Sequence, residues 1–312
     1  MTNISIIIPV MNEEKNILPV YAEVSNVLKK LKIEYEIIFI NDGSTDSTLK
    51  NIINIQKNDK KVKAIDFNKN FGQTAAMQAG IDLASKDLIC YIDGDLQIEF
   101  SELPLFLKEI ENGYDAVIGW RHKRKDSFLK TNVSKLARKL RQKMLGTDLH
   151  DYGCPFKVFK AEAIRSVEFY GEMHRYIPPL LKWRGYSTGE VKITHKPRIH
   201  GETKYNMIRI YRGFIDMFNV WFWQKYSARP LHIFAGLGIA SIGIGFLLGA
   251  ILLALRLLGR ISLVNSSLPM FVMLMIICGI IFFCFGLVSD MLMKIYYSVE
   301  HKKPYTIRKV YK

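Results

Sequence analysis

Two long apolar stretches in the C-terminal third constrain the fold more than any other feature. Residues 231–255 read LHIFAGLGIASIGIGFLLGAILLAL, and residues 268–289 read LPMFVMLMIICGIIFFCFGLVS. Neither contains Lys, Arg, Asp or Glu, and roughly 20 apolar residues suffice to cross the hydrocarbon core of a bilayer. Buried helices of a soluble core are the alternative, but such helices are seldom apolar on every face. We therefore predict two transmembrane helices within 230–293.

The flanking charges predict how these helices are oriented. Basic residues precede the first stretch and follow the second, whereas the connecting loop holds only Arg256 and Arg260. By the positive-inside rule, both termini are cytoplasmic and the loop is external. The start, MTNISIIIPVMNEE, has no basic region or cleavage site of a signal peptide. We expect a multi-pass protein of the cell (inner) membrane with its soluble domain on the cytoplasmic face.

The net charge and the cysteines limit the remaining classes. The formal charge is +15, and anionic lipid headgroups explain it better than nucleic acid, because aromatic and basic residues are not interleaved as in a stacking surface. The alternative explanation of the positive charge is a lysine-rich surface that is merely solvated. The four cysteines lack paired spacing, which argues against a disulfide framework or a zinc site.

Residues 1–120 alternate between strand and helix patterns. Apolar runs predict buried strands, and helical patterns connect them. The predicted strands are 4–10, 35–41, 62–67, 87–93 and 115–120. Such an order predicts an α/β fold with a doubly wound, mostly parallel sheet, whose ligands bind at the carboxyl ends of the strands. The sequence has neither the glycine fingerprint of dinucleotide-binding folds nor a P-loop.

Acidic and polar residues gather at the expected carboxyl edge, and the fourth strand ends in the pattern YIDGDLQ. Two carboxylates one residue apart repel each other unless a cation or proton neutralises them. Oxygen ligands select a hard divalent ion, and magnesium usually joins one or two carboxylates to substrate phosphates. We predict an Mg²⁺ or Mn²⁺ site at Asp93 and Asp95, although an isolated pair of this kind also occurs by chance.

Basic residues elsewhere offer partners for phosphates and for a membrane. Arg121, Arg198 and Lys204 could clamp a diphosphate, or the segment KPRIHGETKY could be a solvated basic loop. Residues 121–145 contain a basic amphipathic pattern that suits either a membrane surface or packing on the sheet. The aromatic segment 205–229 is typical of interfacial helices.

Six motifs, in this order, carry a family resemblance: IIIPVMNEE, INDGSTDST, NFGQTAAMQAG, YIDGDLQ, DYGCPFKVF and GETKY. From about residue 4 to 205 the chain resembles the polyprenyl-phosphate glycosyltransferases of glycosyltransferase family 2, and its two apolar stretches match the bacterial branch. The resemblance implies a GT-A fold and four regions. These are a cytoplasmic catalytic domain (1–204), interfacial helices (205–229), two transmembrane helices with a short external loop (230–293) and a basic cytoplasmic tail (294–312).

The resemblance also implies roles for individual residues. The residues that would contact the nucleotide-sugar are Pro9, Asn12, Glu13, Asp42, Asp66 and Asp93. The metal would bind Asp93, Asp95 and Gln97, and phosphates would bind Arg121, Arg198 and Lys204. The residues that would act in catalysis are Asp151, Asp95 and Arg121. Many relatives carry an aromatic residue near the base where this chain has Met11. A thioether can still pack on a ring face, but the difference weakens an expectation of base stacking there.

The expected reaction is a metal-dependent single displacement that moves a sugar from a UDP- or GDP-sugar to an undecaprenyl or dolichyl phosphate. The acceptor phosphate is already anionic, so catalysis rests on positioning and on stabilising the leaving diphosphate. Alternatives are transfer to another lipid such as diacylglycerol, a processive synthase, and a non-catalytic module that binds nucleotide-sugars. A processive synthase is disfavoured because the Q-x-x-R-W motif is absent. Relatives with such tails can form tetramers, so a homo-oligomer is among the expected assemblies.

Overall fold

The computed structural model describes residues 3–122, 145–146, 149–167, 169, 171, 173–194, 217–218, 221–222, 225, 230–262, 266–298 and 307–311. The chain divides into two compact units, Met1–Val220 together with Lys303–Lys312, and Trp221–Lys302. Nearly all of the predicted basic helix within 121–145, most of the segment 205–229, and both Arg198 and Lys204 lie outside the described residues.

Continuous apolar runs form the parallel centre of the sheet in the first unit. The strands are β1 (Asn3–Val10), β2 (Glu34–Asn41), β3 (Val62–Phe67) and β4 (Leu88–Tyr91). Strand β1 pairs in parallel with both β2 and β4, and β2 pairs in parallel with β3. Most of their side chains are buried, as expected for parallel strands covered on both faces. These strands agree with the first four predicted from the sequence.

Amphipathic helices connect and cover these strands. The helices are α1 (Ile17–Leu31), α2 (Thr48–Asn58), α3 (Gln73–Leu83), α4 (Leu103–Glu111), α5 (Ala161–Arg165) and α6 (Ile177–Trp183). In α1, the buried residues Val20, Val24 and Leu28 recur at helical spacing and form one apolar face. Each of the first three helices begins soon after a strand's carboxyl end, so the loops between them gather at one edge of the sheet.

The second half of the sheet departs from a purely parallel order. It contains β5 (Ala116–Arg121), β6 (Lys157–Lys160) and β7 (Thr188–Ile193). The short strand β6 lies antiparallel between β4 and β5, and β7 pairs in parallel with β5. With the last strand, β8 (Ile307–Tyr311), the order is β7-β5-β6-β4-β1-β2-β3-β8. Most pairings are parallel, which confirms the predicted fold class.

Strand β8 differs from the sequence expectation for the end of the chain. The prediction treated 294–312 as a basic tail, but Ile307–Tyr311 pairs antiparallel with β3, with Ile65 opposite Val310 and Asp66 opposite Lys309. Its two basic residues, Arg308 and Lys309, suit an edge strand, because charged side chains discourage pairing with other chains. The tail therefore contributes to the same sheet as the first 220 residues.

The second unit is a pair of long apolar helices, α7 (Pro230–Leu257) and α8 (Leu268–Ser298). Their most apolar windows have mean hydropathies of 2.4 and 3.0, and only 11% of each window is buried. A helix in a soluble core would be largely buried, so the exposed apolar surface fits a bilayer. The helices approach closely at two glycines, because a Cβ on Gly238 would lie 2.6 Å from the carbonyl oxygen of Gly279. Across the same pair, the Ser241 hydroxyl donates to the carbonyl of Met275 at 2.7 Å.

Candidate active site

A turn with two aspartates follows β4 at the carboxyl edge of the sheet. This acidic turn, residues 93–97, lies against the end of β1, because a Cβ on Gly94 would stand 2.7 Å from Cγ1 of Val10. Leu96 adopts a φ of 58°, which is uncommon for a residue with a side chain. With Val20, Val24 and Phe100, it lines a small cavity that Asp93 also borders. The amide of Gln97 donates to Asp95 Oδ1 at 3.2 Å. Close packing and a local hydrogen bond thus fix the turn.

The carboxyl group of Asp93 accepts a hydrogen bond from a side chain of α3. Gln73, the first residue of α3, donates from Nε2 to Asp93 Oδ1 at 2.8 Å and to the Tyr91 hydroxyl at 2.7 Å. Burial, and then the charge of Asp95, raise the pKa of Asp93 to about 6, against the opposing effect of the cations Lys157 and Arg121. Asp93 is therefore a carboxylate that burial and a like charge disfavour in its ionised form.

The donor set of the acidic turn fits a hard divalent cation. A cation between Asp93 and Asp95 would relieve the repulsion that raises the pKa of Asp93, and carboxylate and amide oxygens are suitable ligands for Mg²⁺ or Mn²⁺. Within the described part of the chain, no group of three or more His, Cys, Asp or Glu residues could hold a metal by itself. The remaining ligands would therefore be waters and substrate phosphates, as is usual for magnesium.

A buried lysine lies behind the acidic turn. Lys157 is 2% exposed on β6, paired in register with Tyr91. Its Nζ donates to the carbonyl of His174 at 3.4 Å and lies 5.7 Å from the centre of the Tyr91 ring. Desolvation lowers the pKa of Lys157, while the neighbouring carboxylates of Asp93 and Asp151 oppose this. The ammonium group thus balances part of the negative charge collected at this edge.

The imidazole of His174 is part of the same buried polar region. Its Nδ1 lies 2.7 Å from the Thr74 hydroxyl. Burial first, and then the charges of Lys157 and Arg175, lower the pKa of His174 to about 3. The imidazole is therefore neutral at physiological pH.

Arg121 and Asp151 form a two-point ion pair at the end of β5. Arg121 donates from Nε to Asp151 Oδ2 at 2.6 Å and from Nη2 to Oδ1 at 2.9 Å. Both side chains are largely buried, with exposures of 12% and 17%. The hydrogen bond and charge of Asp151 outweigh desolvation and raise the pKa of Arg121. Since a guanidinium has five N–H donors, Arg121 retains donors for a phosphate while Asp151 fixes its plane.

Asp42 anchors the loop that precedes α3. Its two carboxylate oxygens accept the amides of Phe71 at 2.7 Å and Gly72 at 3.0 Å. Burial raises the pKa of Asp42 although these two hydrogen bonds oppose it. On the neighbouring strand, Asp66 Oδ1 accepts from Nδ2 of Asn41 at 2.8 Å. Both aspartates thus have a structural function at this edge.

The loops after β1 and β2 are joined by their own polar groups. Asn12 adopts a φ of 56°. Its backbone N–H donates to Ser44 Oγ at 3.0 Å, and its side-chain Oδ1 accepts from the backbone N–H of Thr45 at 2.9 Å. The amide of Glu13 donates to Thr48 Oγ1 at 2.9 Å. Pro9, near the end of β1, pairs in register with Ile40. These contacts give the edge beside the acidic turn a defined shape.

The structure gathers the described candidate residues at one edge of the sheet. They form the acidic turn (Asp93, Asp95, Gln97), the ion pair (Arg121, Asp151) and the loops after the first three strands (Pro9, Asn12, Glu13, Asp42, Asp66). The motifs in the sequence did not single out Gln73 or Lys157. The sequence does offer a signal for Lys157, because it is a charged residue among the apolar residues of FKVF.

Comparisons with known proteins agree with this architecture. Residues 5–167 match the family model described as "Glycosyl transferase family 2". The chain is 35% identical to the dodecaprenyl-phosphate galacturonate synthase of Rhizobium johnstonii, over 99% of this chain and 93% of that protein. It is 31% identical to the undecaprenyl-phosphate 4-deoxy-4-formamido-L-arabinose transferase of Proteus mirabilis, over 99% and 94% of the two chains.

Solved structures resemble the chain more distantly. Mannosyl-3-phosphoglycerate synthase from Rubrobacter xylanophilus has a TM-score of 0.58 at 15% identity, covering 72% of this chain and 75% of that one. Glucosyl-3-phosphoglycerate synthase from Mycobacterium tuberculosis, solved with Mn²⁺ and UDP-glucose, has a TM-score of 0.54 at 18% identity, covering 70% and 79%. These likenesses confirm the expected GT-A type of fold.

Proposed function

The chain belongs to glycosyl transferase family 2, and from this membership we propose that it transfers a sugar from a nucleotide-sugar donor to a polyprenyl phosphate in a membrane. Two relatives matched over nearly their whole length are named for transfer to dodecaprenyl or undecaprenyl phosphate. The long exposed apolar helices α7 and α8 support the same acceptor class, because they suit a protein whose substrate lies in a bilayer.

The observation that carries the proposal is the acidic turn at the carboxyl edge of this sheet. Asp93 and Asp95 lie close enough for one charge to raise the pKa of the other group, an arrangement suited to a cation and an anionic diphosphate. Bound there, Mg²⁺ or Mn²⁺ would neutralise charge on the departing diphosphate. Asp93, Asp95 and Gln97 are the residues that would hold it.

In the proposed reaction, an oxygen of the lipid phosphate attacks the anomeric carbon of the sugar. The bond from that carbon to the nucleotide diphosphate breaks, and the diphosphate leaves with the bonding electrons. The nucleophile is already anionic, so no side chain has to remove a proton from it. Catalysis then depends on alignment and on positive charge near the phosphates.

Arg121 and Asp151 suit such alignment. Because both oxygens of Asp151 accept from Arg121, Asp151 orients the guanidinium and is poorly placed to act as a base. We assign Arg121 to a phosphate of the donor or the acceptor, and Arg198 and Lys204 keep the phosphate-binding roles proposed from the sequence. Nucleotide contacts are assigned to the loop residues Pro9, Asn12, Glu13, Asp42 and Asp66.

Chain connectivity supports the proposed arrangement in the membrane. The unit containing α7 and α8 is entered from and returns to the unit that holds the sheet, so two crossings leave the catalytic domain and β8 on one side. We assign that side to the cytoplasm from the flanking basic residues. The proposed regions remain a catalytic domain (1–204), an interfacial segment (205–229) and a transmembrane pair (230–293), with the final segment (294–312) contributing β8.

A donor screen tests the proposed function. The purified full-length protein in detergent is incubated with undecaprenyl phosphate or, in parallel, with diacylglycerol, together with Mg²⁺ or Mn²⁺ and a panel of UDP- and GDP-sugars. The lipid product is identified by mass. We expect one sugar to be added to the polyprenyl phosphate, and Asp95→Asn to abolish the product. A product formed only on diacylglycerol, or none with any donor, would contradict the proposal.

A further inference from the structure

A carboxylate on β7 holds the segment that contains Asp151. Oε1 of Glu190 accepts the backbone amide of His150 at 2.8 Å and that of Asp151 at 3.0 Å. Its Oε2 lies 2.7 Å from Nδ1 of the His150 ring. The Glu190 side chain is 12% exposed, whereas the side chain of His150 is 43% exposed. One side chain thus fixes two consecutive backbone amides and one imidazole.

The segment held by Glu190 in turn fixes Arg121. The backbone of Asp151 is bound by Glu190, and its carboxylate binds Arg121 at two points. The ring of His150 stacks on Trp120, the neighbour of Arg121 on β5, with ring centres 4.0 Å apart and planes 13° apart. A shift of the segment would therefore move the carboxylate that sets the plane of the guanidinium.

Glu190 is not needed to attach β7 to the sheet. Strand β7 pairs with β5 from Thr188 to Ile193 through the backbone. Before the strand, Ser187 donates its amide to Asp115 Oδ2 at 2.9 Å, and after it the amide of Thr194 donates to Glu102 at 3.1 Å. Both ends of β7 are thus secured by other residues. Within the described part of the chain, the hydrogen bonds of the Glu190 side chain all go to His150 and Asp151.

We propose that Glu190 is a positioning residue for the transfer reaction, acting through Asp151 to keep Arg121 aligned with a reacting phosphate. This inference rests on the proposed function. It assigns no contact between Glu190 and substrate. A loss of about 1 Å in alignment at a reacting centre can cost of the order of 100-fold in rate, so the effect is expected in kcat rather than in donor binding.

A double-mutant cycle tests the inference with the full-length protein. Glu190→Ala is expected to lower kcat about 10-fold to 100-fold while the KM for the donor changes little. In an Asp151→Asn background, which already removes the two-point ion pair with Arg121, Glu190→Ala is expected to cause almost no further loss, because residues that act through one another are not additive. Glu190→Gln keeps an oxygen for the two backbone amides and is expected to recover most of kcat.

Asp115→Ala is the matched control, since Asp115 is also a carboxylate immediately before β5, where it accepts from Ser187 before β7 and from Lys160 on β6. We expect it to lower the melting temperature but not kcat. Equal losses of kcat from Asp115→Ala and Glu190→Ala, or losses from Glu190→Ala and Asp151→Asn that multiply, would overturn the inference alone. If Glu190→Ala does not fold, the same cycle is run with Glu190→Thr, which also removes the carboxylate and suits a strand. A wild-type protein that forms no lipid-linked sugar contradicts the proposed function and the inference together.

Discussion

Gln73 donates hydrogen bonds to the carboxyl group of Asp93 and to the hydroxyl group of Tyr91. Asp93 has a pKa raised to about 6 by burial and by Asp95, and Gln73 donates to one of its oxygens at 2.8 Å. A hydrogen bond to a charged group contributes about 1.5–3 kcal/mol. The carboxamide therefore favours the ionised form of Asp93 and fixes the direction in which it faces.

Replacing Gln73 should weaken cation binding although no residue of the acidic turn is changed. We expect Gln73→Leu to reduce the affinity for Mn²⁺ about 10-fold, because Asp93 loses its donor. Free Mn²⁺ can be titrated by electron paramagnetic resonance with UDP or GDP present, so no turnover is required. Asn54→Leu, an exposed carboxamide on α2, is the control. Equal affinities for Gln73→Leu and the wild type would show that the donor is unimportant.

His174 should make the stability of the protein depend on pH. Its folded pKa is lowered to about 3 by burial, Lys157 and Arg175, whereas an unfolded histidine has a pKa of about 6.5. Between these values the unfolded state binds the proton and the folded state does not. Stability is thus complete above the unfolded pKa and falls as the pH decreases, by about 2 kcal/mol at about pH 5.

The prediction is checked by unfolding the wild type and His174→Gln in detergent at about pH 7.5 and about pH 5. We expect the melting temperature of the wild type to fall further between the two pH values than that of the variant. Parallel falls in the two proteins would mean that the imidazole is not held neutral.

At the residue scale, local patterns revealed the acidic turn but not the residues that hold it. Asp93 and Asp95 stand out because they end an apolar run. Glu190 lies 39 positions from Asp151, and Gln73 lies 20 positions from Asp93. Their importance comes from tertiary contacts, which residue spacing does not encode. The assigned roles of all these residues remain predictions.

At the scale of secondary structure, elements with a clear hydrophobic pattern could be predicted from the sequence, and short elements without one could not. The continuous runs of β1 and β2 identify buried parallel strands, and both agree with the structure. The strand β6 has only four residues, bounded by Lys157 and Lys160, so no clear period marks it. The strand β8 lies in the segment predicted to be a basic cytoplasmic tail, because its basic residues follow the second apolar stretch. Short strands depend on pairing partners that a local pattern cannot reveal.

The pair of apolar helices should be sensitive to side-chain size at only some of its glycines. A Cβ on Gly279 would lie 2.6 Å from Cγ1 of Ile242 and 2.7 Å from the carbonyl oxygen of Gly238, whereas one on Gly243 meets nothing within 4 Å. Close approach of this kind is typical of helix contacts in membranes. Gly279→Leu is therefore expected to separate α7 and α8, and Gly243→Leu is the matched control.

Both variants gain the same helix propensity, so their difference isolates the packing effect. We expect Gly279→Leu to destabilise the helix pair by about 1–3 kcal/mol relative to Gly243→Leu. Thermal stability in detergent, followed by fluorescence-detected size-exclusion chromatography, is the measurement. Similar melting temperatures for the two variants would contradict the observed contact.

At the scale of the whole molecule, the proposed topology predicts which surfaces a membrane-impermeant reagent can reach. Arg260 lies between α7 and α8, and Asn58 lies at the end of α2. Single cysteines at these exposed positions (Arg260→Cys and Asn58→Cys) should react with an impermeant maleimide from opposite sides. The native thiols give a low background, because Cys90 and Cys154 are buried and Cys278 and Cys284 lie in α8.

In cells stripped of their outer envelope, we expect Arg260→Cys to be labelled at once. Asn58→Cys should be labelled only after the cells are lysed. The wild type, carried through the same steps, measures the background of the native thiols. Labelling of Asn58→Cys in intact cells would place the sheet on the external side and refute the proposed orientation.

The position of β8 in the chain has a consequence for biosynthesis. Because this strand follows α8, the ribosome makes it only after both apolar helices. Until then the outer edge of β3 has no partner, and an unpaired edge invites association with other chains. Completion of this edge of the sheet therefore waits for the hydrophobic helices to be made. A nascent chain released before β8 would carry an open edge that quality-control proteases can recognise.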